Sequence, residues 1–207
     1  MDRVQLKAGD SLLVLAPGIG GGIARLVLAG VGTLRRAPED GQGAKDPLQL
    51  GEFPMAPWVN RVANGRFTWE ESEVGVAGGP GGDPQGLHGV SWRTCWSVLQ
   101  ESAAEVVLGM AWDGAAGWPF PFKFTRRFVL TQNELTIEAR LENTGFRPMP
   151  AALGFHPYFP SAGARLRAAA SAAWITDAAG LPVSLGLERM AADMRSGLKV
   201  EAQPLDH

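Results

Sequence analysis

The sequence contains one cysteine, Cys95, in 207 residues. No disulfide can close within the chain, which fits a reducing compartment. Cys95 itself reads as a small buried residue in a strand. No apolar run approaches the roughly 20 residues needed to span a bilayer. The opening Met1-Asp2-Arg3-Val4-Gln5-Leu6 lacks the basic and apolar regions of a signal peptide. A soluble, cytoplasmic protein without a membrane partner is therefore expected. An excess of charge is missing too: 19 basic and 21 acidic residues leave a formal net charge of −2. A nucleic-acid binder usually carries a basic excess or stripe, and nucleic acid is not expected as a partner. The pairs Arg35-Arg36 and Arg126-Arg127 read as solvated faces.

Long segments with helical periodicity and caps are scarce as well. What is abundant is punctuation: 27 glycines and 15 prolines bracket short segments of alternating character. In Leu135 to Glu142, Leu135, Ile137, Ala139 and Leu141 would line one face of a strand, and Thr136, Glu138, Arg140 and Glu142 the other. Phe122 to Leu130 reads similarly, with Gln132-Asn133 as the hairpin turn between them. Further strands are expected at Val4–Lys7, Ser11–Ala16, Arg66–Trp69, Trp92–Gln100 and Glu105–Trp112. Many short strands with turns between them predict an all-β sandwich or barrel. The length and a 45% hydrophobic content suit one domain over residues 1–207 with a substantial core. Two longer loops, Ala37 to Pro47 and Gly75 to Gly86, are candidates for function or for mobile surface.

The run Gly18-Ile19-Gly20-Gly21-Gly22 offers a different fold, a strand and helix joined by a phosphate-cradling turn. A dinucleotide fingerprint needs glycine at its sixth position, and Ile23 stands there. No regular alternation of strand and helix follows. A glycine-rich link between two strands is the better reading.

The three histidines are His88, His156 and His207. His88 lies in Gly86-Leu87-His88-Gly89, and His156 in Gly154-Phe155-His156-Pro157-Tyr158-Phe159. Glycine permits close approach of backbone or ligand, and proline does not continue a central ladder. Both histidines are thus expected at strand ends, where either a functional or a structural role is open to them.

Several motifs resemble those of the aldose 1-epimerases. Asn60-Arg61-Val62-Ala63-Asn64-Gly65-Arg66-Phe67 is similar to their Asn-Arg motif, and Leu87-His88-Gly89 to their His-Gly motif. Gly117-Trp118-Pro119-Phe120-Pro121-Phe122 resembles the segment leading into the central hairpins. Gly154 to Phe159 resembles the His-Pro-Tyr-Phe signature. Leu205-Asp206-His207 is similar to the opening of a later Asp motif. The matches run in family order from Asn60 to His207.

The resemblance implies a galactose mutarotase-like supersandwich of antiparallel sheets. It also implies interconversion of the α and β anomers of an aldose such as glucose or galactose, with neither metal nor organic cofactor. By position, His156 matches the general acid and His88 a second histidine on the ring-oxygen side. Arg61 matches a sugar-contacting arginine and Asp206 a sugar-binding carboxylate, with Asn60 in the same motif as Arg61. Mutarotation needs these types. A base takes the proton of the anomeric hydroxyl while an acid protonates the ring oxygen, and closure on the other carbonyl face gives the other anomer. Histidine donates and accepts protons near neutral pH. Arginine and carboxylate groups hold hydroxyls.

The sequence departs from the pattern at its end. The resemblance implies a glutamate base well beyond the Asp motif, and neither Glu188 nor Glu201 lies in a matching motif. The C-terminal strands of the family fold are expected to be missing, and activity to be impaired. Two other readings stand beside the mutarotase. One is a hexose-6-phosphate 1-epimerase, with Arg66 and Arg93 as possible phosphate donors. The other is a non-catalytic carbohydrate-binding β-sandwich, with Trp58, Trp92 and Trp118 as possible sugar faces, although aromatic residues in strands usually pack a core.

Overall fold

The computed structural model describes residues 3–186 and 188–200. The chain divides into two compact units, the first ending at Phe159 and the second starting at Pro160. Strands dominate both.

The first unit opens with antiparallel strands β1 (Val4–Ala8), β2 (Ser11–Ala16) and β3 (Gly22–Leu28). Strands β4 (Val31–Gly32) and β5 (Glu52–Met55) both pair with β3. Two short ribbons follow. One joins β6 (Arg61–Val62) to β9 (Gly86–Leu87), and the other joins β7 (Arg66–Trp69) to β8 (Ser72–Gly75). The strands β10 (Ser97–Glu101), β11 (Glu105–Asp113), β12 (Pro121–Leu130) and β13 (Leu135–Asn143) form a four-stranded antiparallel sheet in that order. Strand β14 (Gly154–Pro157) then returns to the first sheet and pairs with β5.

The two larger sheets face each other across the main core. Val4, Leu6, Leu13, Leu15, Ile23 and Leu26 of the first meet Val106, Leu108, Phe122, Phe124, Phe128 and Leu130 of the second. The period of two in each strand supplies these inward rows. The other face of the first sheet is also covered, by Val14, Ala16, Ala24, Ala37, Ala44 and Leu50 at one place and by Phe53, Met55 and Trp92 at another. An all-β, antiparallel architecture is what the alternating segments predicted.

The second unit holds two antiparallel strand pairs, β15 (Arg165–Leu166) with β18 (Leu198–Lys199) and β16 (Ala173–Thr176) with β17 (Pro182–Gly186). It also carries helix α1 (Glu188–Ser196). Among the described residues no helix is long and apolar enough to cross a membrane.

The glycine-rich segment links β2 to β3, as expected, with Gly22 the first residue of β3, and opens no helix. Gly20 has φ +66°, and a Cβ there would lie 2.0 Å from the Trp92 carbonyl oxygen. Glycine is demanded here by backbone contact and not by a phosphate.

Three expectations are corrected. Cys95 is exposed and lies outside the strands. Trp92 to Gln100 is not one strand: Ser91–Arg93 forms a 3-10 turn, and the strand spans Ser97–Glu101. Arg126 is fully buried. Adjacent residues of a strand point to opposite faces, so an Arg-Arg pair must send one member inward. Arg127 is the outward member and pairs with Glu105 at 2.6 Å and Glu138 at 3.0 Å.

Candidate active site

The candidate site is built on β5, β14 and the turn after β9. In the β5–β14 ladder His156 stands opposite Phe53, so both side chains share the face turned away from the main core. Their rings stack at 4.5 Å between centroids and 19° between planes. Phe53 stacks in turn on Trp92, at 5.1 Å and 25°. Tyr158 lies two residues beyond His156 and packs against it at 4.8 Å and 38°. His156 is half-buried, and Phe53 is fully buried beneath it.

A tight turn delivers the second histidine. His88 has φ +58° and Gly89 φ +76°. A Cβ at residue 89 would sit 1.9 Å from the Ala56 carbonyl oxygen. That oxygen accepts hydrogen bonds from the Val90 and Ser91 amides, so the turn is pressed onto the chain just beyond β5. The Trp92 indole N–H donates to the Leu87 and Gly89 carbonyls at 3.2 and 3.1 Å, closing the loop around His88. The result is a buried His88 ring 5.3 Å from that of His156, at 73°.

Asn60 and His88 hold each other. The His88 amide donates to the Asn60 carbonyl at 3.0 Å, and the Asn60 amide donates to His88 Nδ1 at 3.1 Å. Nδ1 is therefore an acceptor, and neutral His88 carries its proton on Nε2. Asn60 has φ +65°, a conformation that asparagine tolerates better than most residues. Its side-chain oxygen accepts from the Arg61 amide at 2.8 Å. Arg61 stands opposite Leu87 in the β6–β9 ladder, beside the residue that precedes His88. Non-glycine residues at positive φ concentrate where surrounding structure enforces them, often at functional sites.

Four of the five expected site residues thus belong to one neighbourhood: Asn60, Arg61, His88 and His156. Asp206 lies outside the described residues, as do His207 and Glu201. Trp58, Trp92 and Trp118 are buried and pack the interior. Arg66 forms an exposed ion pair with Glu73, whereas Arg93 lies over the Trp92 ring. Neither Phe53 nor the stacking role of Tyr158 was legible in the sequence. Tyr158 at least sits in the His-Pro-Tyr-Phe motif, but nothing local marks Phe53.

On the opposite face of β5, Glu52 accepts a hydrogen bond from the buried Arg126 guanidinium at 2.8 Å. Burial pushes the Glu52 carboxyl above its ordinary value, and the charge of Arg126 opposes that rise.

A family model described as aldose 1-epimerase matches residues 2–207. The chain belongs to the aldose 1-epimerase family. The uncharacterized protein YphB of Escherichia coli is 32% identical over 124 residues, 59% of this chain and 42% of that protein. YihR of the same organism is 28% identical over 159 residues, 75% of this chain and 49% of that protein. The chain thus spans about half the length of the curated relatives it matches. A crystal structure of a putative aldose 1-epimerase from E. coli superposes with a TM-score of 0.80 at 26% identity, covering 89% of this chain and 61% of that one. A galactose mutarotase-like protein from Clostridium acetobutylicum gives 0.80 at 19% identity, over 96% and 65%. The antiparallel β architecture is that of galactose mutarotase-like proteins.

Proposed function

We propose that the protein interconverts the anomers of a free aldohexose such as glucose or galactose. His156 acts as the acid that protonates the ring oxygen, and His88 contacts the same side of the sugar through Nε2–H. Arg61 donates to sugar hydroxyls, with Asn60 supporting both His88 and Arg61. Asp206 is assigned a hydroxyl-binding role by its motif. The observation that carries the reading is the pairing of the two histidine rings at 5.3 Å, brought together from two distant motifs beside Arg61. Two imidazoles so placed can donate and hold protons near neutral pH.

The test is polarimetry with α-glucose and α-galactose, uncatalysed mutarotation being subtracted. Their 6-phosphates are run alongside to test the hexose-6-phosphate alternative. The ratio between wild type and His156→Ala is the readout, because it isolates the contribution of the proposed acid. A His156-dependent acceleration of free sugars supports the proposal. Preference for the phosphates would move the substrate to the alternative. Sugar binding by calorimetry with no His156-dependent acceleration would replace catalysis by carbohydrate binding.

A further inference from the structure

The candidate acid lies inside a column of four rings capped at each end by a guanidinium. In order, the column runs Arg35, Tyr158, His156, Phe53, Trp92 and Arg93. The Arg35 guanidinium carbon lies 3.8 Å from the centre of the Tyr158 ring, and that of Arg93 lies 4.5 Å from the Trp92 ring. Between them the ring spacings are 4.8, 4.5 and 5.1 Å.

Both caps are themselves anchored. Arg35 Nη2 donates to the Leu48 and Leu50 carbonyls, each at 2.5 Å. Its backbone amide donates to the Tyr158 carbonyl at 2.8 Å, and the Tyr158 amide donates to Gly51 at 2.9 Å. At the other end Arg93 Nη1 donates to the Gly78 carbonyl at 3.0 Å. A planar guanidinium held by carbonyls has already lost its freedom, so stacking costs it little further entropy. Phe53 cannot yield, because it is fully buried. Tyr158 and His156 are only half-buried, so the upper part of the column needs its cap.

We infer that Arg35 is a positioning residue for His156. Its guanidinium presses Tyr158 onto the imidazole and holds that ring flat against Phe53, at the angle presented to the sugar. A cation over an aromatic face is attracted by the ring quadrupole, and the contact acts before any sugar arrives. Preorganised geometry of this kind raises the rate of a proton transfer without tightening sugar binding. The inference rests on the acid role proposed for His156, but the position of the ring can be measured without turnover.

The experiment compares wild type, Arg35→Met, Arg35→Lys and Tyr158→Leu. Histidine Cε1–H signals are followed by NMR, with His156→Ala used to assign the His156 signal. In Arg35→Met and Tyr158→Leu, the His156 signal moves toward that of an exposed histidine and broadens, while that of His88 stays. Arg35→Lys, which keeps a cation, restores much of the wild-type position. With α-glucose, Arg35→Met loses between about tenfold and 10²-fold in kcat with little change in KM. Equal movement of both histidines, an unmoved His156, or a lysine variant indistinguishable from methionine would overturn the inference. A flat polarimetric response in every protein, wild type included, would count against the proposed function alone, and the NMR comparison would still decide the role of Arg35.

Discussion

Arg126 reaches from β12 to Glu52 on β5, donating from Nη2 to Oε1 at 2.8 Å with both side chains removed from solvent. A second donor, Nη1, reaches the Gly21 carbonyl at 3.0 Å. One side chain therefore ties the four-stranded sheet to the strand that carries Phe53. Removing one partner of such a pair leaves a buried charge without compensation. Glu52→Ala is expected to cost about 3–5 kcal/mol in urea unfolding. The double variant Glu52→Leu with Arg126→Met should recover most of that loss, because well-packed apolar replacements of buried pairs are often neutral or better. A double variant as unstable as Glu52→Ala alone would show that the pair contributes more than mutual compensation.

Gly89 is the residue that lets the His88 turn meet Ala56. Gly89→Ala should lower stability by about 1–3 kcal/mol, since a Cβ would collide with backbone and not with a yielding side chain. The same change should weaken sugar binding, because the collision displaces His88. Thermal unfolding and calorimetry measure the two effects. A variant with wild-type stability would mean that the Ala56–Gly89 approach is looser than the geometry indicates.

Asp40 sets a pH dependence. Its partial burial favours the neutral carboxyl, but Arg36 at 2.6 Å and Arg25 at 3.3 Å outweigh that and hold it below the ordinary 3.8. A lowered folded value means that the unfolded chain binds more protons, so this contribution is complete above the unfolded value and is lost as pH falls through the folded one. Asp40→Asn keeps a residue suited to the positive φ of +51°. It is expected to cost about 0.5–1 kcal/mol at neutral pH, with the difference from wild type closing as pH falls below the ordinary carboxyl value of 3.8. A difference that stays constant from neutral to acid pH would remove Asp40 as its source.

Much of the fold was legible because strict alternation is a local property. Leu135 to Glu142 and Phe122 to Leu130 announce half-buried and inward-facing strands, and the structure has Leu135–Asn143 and Pro121–Leu130. Arg126 was misread because two adjacent arginines look like a charged surface, although the Phe-x-Phe-x-Arg-x-Phe spacing puts the first of them on the apolar row. Trp92 to Gln100 was misread because its apolar residues suit either a strand or a packed turn. His88 and His156 were marked by their motifs. Their partners Phe53 and Arg35 were not, because cross-strand register and a cation placed over a distant ring leave no trace in local spacing.

The proposed mechanism gives the His88 ring two jobs on its two nitrogens, and they can be separated. Nδ1 accepts from the Asn60 amide and so fixes the loop that leads to Arg61. In the proposed mechanism Nε2–H contacts the sugar. Asparagine at position 88 can present its side-chain oxygen near the place of Nδ1 and suits the φ of +58°. It has no counterpart to Nε2–H. His88→Asn should therefore fold with a loss of only about 1 kcal/mol, while its sugar-dependent rate falls roughly 10²-fold. His88→Gln reaches farther and better imitates Nε2–H, but it gives up the Asn60 contact and is less suited to the positive φ. It should lose more stability than the asparagine variant and retain more of the rate per folded molecule. Urea unfolding and polarimetry on the same preparations read both quantities. If the two variants rank alike in stability and in rate, the two nitrogens do not divide the work in this way, and His88 would be a structural residue of the turn.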